Sequence, residues 1–247
     1  MTDTLTARLN DPRTRRAAVE EGLRDRFPAW NEPTVAVDVP FGPGGGRRAR
    51  FWVSPDYAGI LDVCGAEYLR VPADPRVYQA AAATRGWEFP VPPLVDAVAA
   101  VPAARRAPPR TVSKERGAWF TVVSHNARVE ADRVRMGVPR GELWCGAKKD
   151  IVVGVADPAA LRTPRVWLYG WHRPDGSRIQ GLFGGHAVSY VDYSHGWRPV
   201  AGEVEVDGVR RPYAAVVGDL ALMREMFPEW HARLDATRYR ASPFTRY

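Results

Sequence analysis

The sequence is poor in cysteine, lysine and histidine, with two, three and five of them in 247 residues. Cys64 and Cys145 can form at most one bridge, which excludes a disulfide-framed secreted scaffold and predicts two free thiols in a reducing compartment. No apolar run approaches the roughly 18 residues that a membrane helix requires. The opening MTDTLTARLNDPRTRRAAVEEG lacks the apolar core of a leader peptide and mixes acids among its arginines. A cytoplasmic protein without membrane contact is the expectation. Gly42–Gly46 is not followed by the GK[ST] of a phosphate loop, and there is no HExxH and no paired CxxC. Internal repeats and low-complexity tracts are also missing.

What is present suits a folded core, since 45% of the residues are apolar. The net charge of +7 resembles a nucleic-acid signal until it is located. Residues 101–116 carry +4 and the tail 238–247 carries +3, which accounts for the whole excess. Positive charge confined to a proline-rich stretch and a terminus reads as solvated chain, which argues against nucleic acid as the partner. Only Lys114, Lys148 and Lys149 are lysines in a chain that otherwise uses arginine. Two of them are adjacent, which points to a place that wants a compact ammonium whose pKa can shift.

Asp11-Pro12 has the residues of a helix start, and Val19, Leu23 and Phe27 follow at spacing four. Residues 34–41 and 48–55 alternate as strands around a glycine-rich hairpin turn. Residues 66–72 read as a strand, and Asp74-Pro75 opens a helix that ends at Gly86. A further helix runs from about Pro93 to the stop at Pro102. Beyond it, 118–124, 150–155, 165–172, 178–183 and 187–197 read as strands, with a tight turn at 174–177 and a closing helix near 219–227. Without regular βαβ alternation, this predicts an α+β fold, mainly an antiparallel sheet in the C-terminal half with flanking helices. Three parts are expected: 1–101 helical and hairpin, 102–116 a Pro/Arg-rich linker or loop, and 117–247 sheet-rich with the site, or else one continuous domain.

Residues 141–198 hold Lys148 and Lys149, His172, His186 and His195, Cys145, four of nine tryptophans and three of nine tyrosines. Aromatic walls strengthen the few polar groups among them, so chemistry is expected there, although aromatics also simply build cores. On a regular strand Trp167, Tyr169 and Trp171 would face one way and Leu168, Gly170 and His172 the other. Gly170 would then leave room beside His172 for a ligand or a close backbone approach. The same alternation separates Asp192 from His195, so a relay between them needs a bulge. Cys145 and Lys149 would share a face, which allows a thiolate nucleophile with His186 as its base. His172, His186, Asp192 and His195 could instead hold a metal.

The stretches His125-Asn126, KKDIVV (148–153), YGWHRPDGSRIQ (169–180), His186 and YVDYSHGWRPV (190–200), with a looser FWVSPDYAGIL (51–61), resemble an uncharacterised bacterial protein family. The resemblance covers roughly the C-terminal half and implies no activity. Members of that family carry GHKKDVV, so a histidine is replaced here by Ala147 and Cys145 is not a family feature.

The residues together predict a hydrolase or acyltransferase for a polar small molecule, peptide or glycan, with Lys149, His186, Asp192 and His195 catalytic. His125, Lys148, His172, Gln180 and Tyr190 are expected to bind the substrate. No cofactor is expected. The alternatives are a noncatalytic carbohydrate- or peptide-binding module and a metal-dependent enzyme.

Overall fold

Strands β1 (Val35–Phe41) and β2 (Arg47–Val53) are alternating segments that bury Val37, Val39, Phe41, Ala49, Phe51 and Val53. They pair antiparallel from Val35↔Val53 to Phe41↔Arg47. The turn between them places Gly42, Gly44 and Gly45 at φ of 73°, 63° and 71°, a region that costs glycine little. The computed structural model describes residues 8–9, 11–61, 67–113, 118–153 and 164–230.

Later parts of the chain complete this first sheet. β12 (Val200–Val206) pairs antiparallel with β2, β13 (Val209–Pro212) pairs with β12, and the short β5 (Trp87–Glu88) also joins β12. The second sheet has the order β10-β9-β8-β11, with β8 Lys149–Ile151, β9 Arg165–His172, β10 Arg178–Ala187 and β11 His195–Gly196. Two small pairs complete the strands: β3 (Ile60–Leu61) with β4 (Tyr68–Leu69), and β6 (Arg105–Arg106) with β7 (Trp144–Cys145). The fold is α+β, and its C-terminal half is rich in antiparallel strands.

The helices are α1 (Arg15–Asp25), α2 (Pro75–Arg85), α3 (Pro92–Ala100), α4 (Ala118–Arg135), α5 (Tyr213–Gly218) and α6 (Leu220–Met226). α2 follows the sequence signal closely. The Asp74 side chain accepts from the Arg76 amide, Pro75 is the first helical residue, and Gly86 ends the helix at φ 65°. One apolar core runs from Leu9 to Trp230 and includes strands of both sheets. Trp197, fully buried, packs against Tyr78, Phe89 and Trp87 at ring distances of 5.4, 5.3 and 6.4 Å.

Several local expectations are corrected. Residues 118–124 lie in helix α4, whose buried positions Thr121, Val122, His125, Val129 and Asp132 recur at helical spacing. The β-branched run TVV alone reads as a strand, and the longer window decides otherwise. Residues 187–197 form turns around a two-residue strand, and Tyr68–Leu69 is the only strand described within 66–72. The helix expected from Asp11 starts at Arg15, because Asp11 is spent on a turn in which it binds Arg13. The described part of 102–116 is laid against the molecule through β6 and the buried Ala104 and Ala107. Cys64 and Lys114 lie outside the described residues.

Candidate functional site

Four strands bring three of the predicted residues, Lys149, Gln180 and His195, into one row. Antiparallel pairing sets Lys149 opposite Gly170 and Gly170 opposite Gln180, while parallel pairing sets His195 beside Lys149. Residues paired across neighbouring strands share a face, so residues distant in sequence become neighbours here. β10 adds two bulges, between Gln180 and Phe183 and between Phe183 and His186. These bring the Phe183 and His186 rings together at 5.1 Å. His186 stacks on Tyr190 at 4.0 Å, and Tyr190 meets His195 edge-on at 5.7 Å.

The bulge expected between Asp192 and His195 is replaced by a turn. The His195 amide donates to the Asp192 carbonyl at 3.0 Å, and Asp192 Oδ1 accepts from the Ser194 amide and hydroxyl at 2.9 and 2.8 Å. This is an Asx-type turn, which folds the aspartate back over the residues that follow it. Asp192 therefore acts electrostatically on His195, favouring its charged form. Burial wins, and with the adjacent Lys149, Lys148 and His186 it holds His195 at about 3. The imidazole is neutral at pH 7, and its buried Nδ1 has no hydrogen-bonded partner.

Lys148 lies behind this row, 1% exposed, with Nζ donating to the Tyr193 carbonyl at 2.6 Å. Burial, reinforced by Arg70, lowers it to about 7 against the opposing pull of Asp192 and Asp56. Gly196 makes this path possible, because a Cβ there would come within 2.7 Å of Lys148 Cδ. Lys149 is half-buried, its Nζ 5.3 Å from the ring of Trp171. His125, carried by α4, is fully buried with its ring 4.9 Å from Tyr193. Burial and the cations Lys148 and Arg70 hold it at about 2. Asp192 and a backbone contact with Arg110 oppose this, favouring the charged ring.

His172 does not join the group. Gly170 at φ 86° and Trp171 at φ 53° break the alternation of β9, so Tyr169 and His172 both reach Asp96 of α3. The space beside Gly170 is filled, since a Cβ there would meet Val95, Asp150 and His172. A tryptophan at positive φ is strained, and it holds the platform on which Lys149 rests. Asp96 also accepts from Arg178 at 2.7 Å and Trp230 at 3.3 Å. Gln180 shares the row, but its amide donates to the Gly181 carbonyl. His172, His186, Asp192 and His195 thus divide between two places. Among the described residues, no three His, Cys, Asp or Glu side chains converge as metal ligands.

Cys145 is excluded as the nucleophile. It is 3% exposed, Sγ donates to the Arg105 carbonyl, and burial pushes the thiol up to about 11. Gly146, at φ 74°, bends the chain and destroys the alternation that would have set Cys145 beside Lys149. The Trp-rich face that a binding module requires is mostly closed as well, with Trp144, Trp171 and Trp197 buried and Trp167 half-buried.

The supports of the site were not singled out from the sequence. Arg70 is fully buried, paired with Asp56 at 2.5 Å and Glu130 at 2.9 Å. The Tyr57 hydroxyl donates to the Lys148 carbonyl and to Asp150 Oδ2, both at 3.1 Å. Arg198 binds the Ser54 and Trp144 carbonyls. The FWVSPDYAGIL stretch, which contains Ser54, Asp56 and Tyr57, was the available signal.

A cavity of about 560 Å³, lined by α1, α2, the start of α4 and residues 189–193, touches this group at Tyr190 and Asp192, while Lys149, His186 and His195 are not part of its lining. Among the described residues, no helix is long and apolar enough to cross a membrane. Compared with protein-family models, curated proteins and solved structures, the chain matches none of them.

Proposed function

We propose that the chain is a cytoplasmic hydrolase or acyltransferase acting on a polar small molecule, peptide or glycan at the group formed by Lys149, His186, Tyr190, Asp192 and His195. The observation that carries this reading is the strand row that sets His195 beside Lys149, together with the ring contacts that join His186 to His195 through Tyr190. In a hydrolase of this kind, His186 has the partial exposure that proton transfer to and from a substrate needs. Lys149 supplies positive charge for the anion that develops on an attacked carbonyl. His195, held neutral, offers an uncharged imidazole, and Asp192 fixes the turn that aims it. Lys148 anchors the Tyr193 carbonyl and so belongs to the frame of the site.

The test is turnover of a panel of esters, N-acyl amines and glycosides by the full chain and by Lys149→Ala, His186→Ala and Asp192→Asn. Each variant is expected to lose on the order of 10²-fold in kcat/KM while its near-UV circular dichroism is unchanged. Absence of turnover by the unsubstituted chain across the panel, or variants as active as it is, would overturn the reading.

A further inference from the structure

We propose that the cavity between α1, α2, α4 and residues 189–193 binds an amphipathic organic anion, an acyl or aryl carboxylate whose apolar body lies inward and whose charge lies among three arginines. The inner wall is apolar, built by Val19, Val77, Trp119 and Val122. Its volume of about 560 Å³ is in the usual range for a small organic ligand. Arg15, Arg16 and Arg76 also line it. The Arg15 guanidinium lies 5.1 Å from the Trp119 ring, so one wall offers an aromatic surface and a cation together.

The two carboxylates on the lining do not cancel this preference. Asp74 is paired with Arg76 as the cap of α2, so these two charges offset each other, and Arg15 and Arg16 against Asp192 leave one positive charge in excess on the lining. Arg16 pairs with Glu20 at 3.0 Å in an exposed i,i+4 contact, which contributes little and can be exchanged for a bound anion. Arg15 is held in place by its Nε, which donates to the Leu9 carbonyl at 2.7 Å.

Tyr190, Asp192 and Tyr193 belong both to this cavity and to the His195 group. A ligand seated here presents its far end to the turn that carries His195. The assignment of this ligand class as the substrate rests on the proposed hydrolase or acyltransferase reading, whereas the binding does not.

The experiment is calorimetric titration of the full chain with 1-naphthoate, with neutral 1-naphthalenemethanol and cationic 1-naphthylmethylammonium as controls. Saturable one-to-one binding of naphthoate is expected, about tenfold tighter than the alcohol, with no binding of the ammonium. Arg76→Gln should weaken naphthoate about tenfold, and Ser189→Trp, which fills the exposed mouth, should abolish binding. No saturable binding, equal binding of the three probes, or indifference to both Arg76→Gln and Ser189→Trp would overturn the proposal. Binding without turnover of any naphthoyl ester or amide would overturn the reaction and leave the cavity assignment standing, while turnover without naphthoate binding would do the reverse.

Discussion

His172 and His195 are both buried, 4% and 1% exposed, yet their surroundings differ. His172 Nε2 is 2.9 Å from Asp96, and that carboxylate also holds Tyr169, Arg178 and Trp230. His195 has an unpartnered Nδ1, two lysines and another histidine for neighbours, and a pKa driven down to about 3. The Asp96 group ties α3 to β9 and the last described turn, and every contact in it is a paired one. The His195 group sets two lysines against one aspartate, leaves Nδ1 of His195 without a hydrogen bond, and touches a cavity through Tyr190 and Asp192. A protein retains such cost where binding or chemistry uses it, which is why the functional reading lies with His195.

The largest test of this contrast is Asp96→Ala. It removes the acceptor shared by four side chains, and a loss of about 3 kcal/mol in urea unfolding is expected. A loss under about 1 kcal/mol would show that the group is not structural. Next comes a matched pair. His172→Phe should cost about 2 kcal/mol by breaking the Asp96 hydrogen bond, whereas His125→Phe, which breaks no such carboxylate pair, should change stability by under about 1 kcal/mol. Equal effects would erase the distinction.

The smallest expected effect is a pH dependence. Lys148 is lowered from 10.5 to about 7 in the folded chain, so between these values the unfolded chain holds the extra proton and stability rises with pH. From pH 7 to 8.5 a gain on the order of 1–2 kcal/mol is expected, absent in Lys148→Met. On the acid side, His125 and His195 resist protonation when folded, so they withdraw stability as pH falls from 6.5 toward 3. Asp150, raised to about 6 by burial, acts oppositely between about pH 6 and 4. Denaturation midpoints at pH 5, 7 and 8.5 would show both slopes.

Much of the frame was legible because its signals are local. The Asp74-Pro75 cap, the Gly86 stop and the β1–β2 alternation each depend on neighbours in sequence. Lys148, Lys149, His186, Tyr190, Asp192 and His195 do gather, as their density along the chain suggested. What stayed hidden depends on tertiary placement. Asp96 sits in an unremarkable apolar helix, and only the two positive-φ residues Gly170 and Trp171 turn His172 toward it. Arg70 looks like one arginine among 32 until burial with Asp56 and Glu130 distinguishes it. The helical period of 118–135 was masked by a β-branched run at its start.

The parallel register of β11 against β8 has a kinetic consequence. Its two strands are separated in sequence by the whole β9–β10 hairpin, so closing it pays the entropy of a long loop before any contact returns the cost. His195 therefore meets Lys149 only once that loop has closed, and a chain stalled before this step would lack the proposed site.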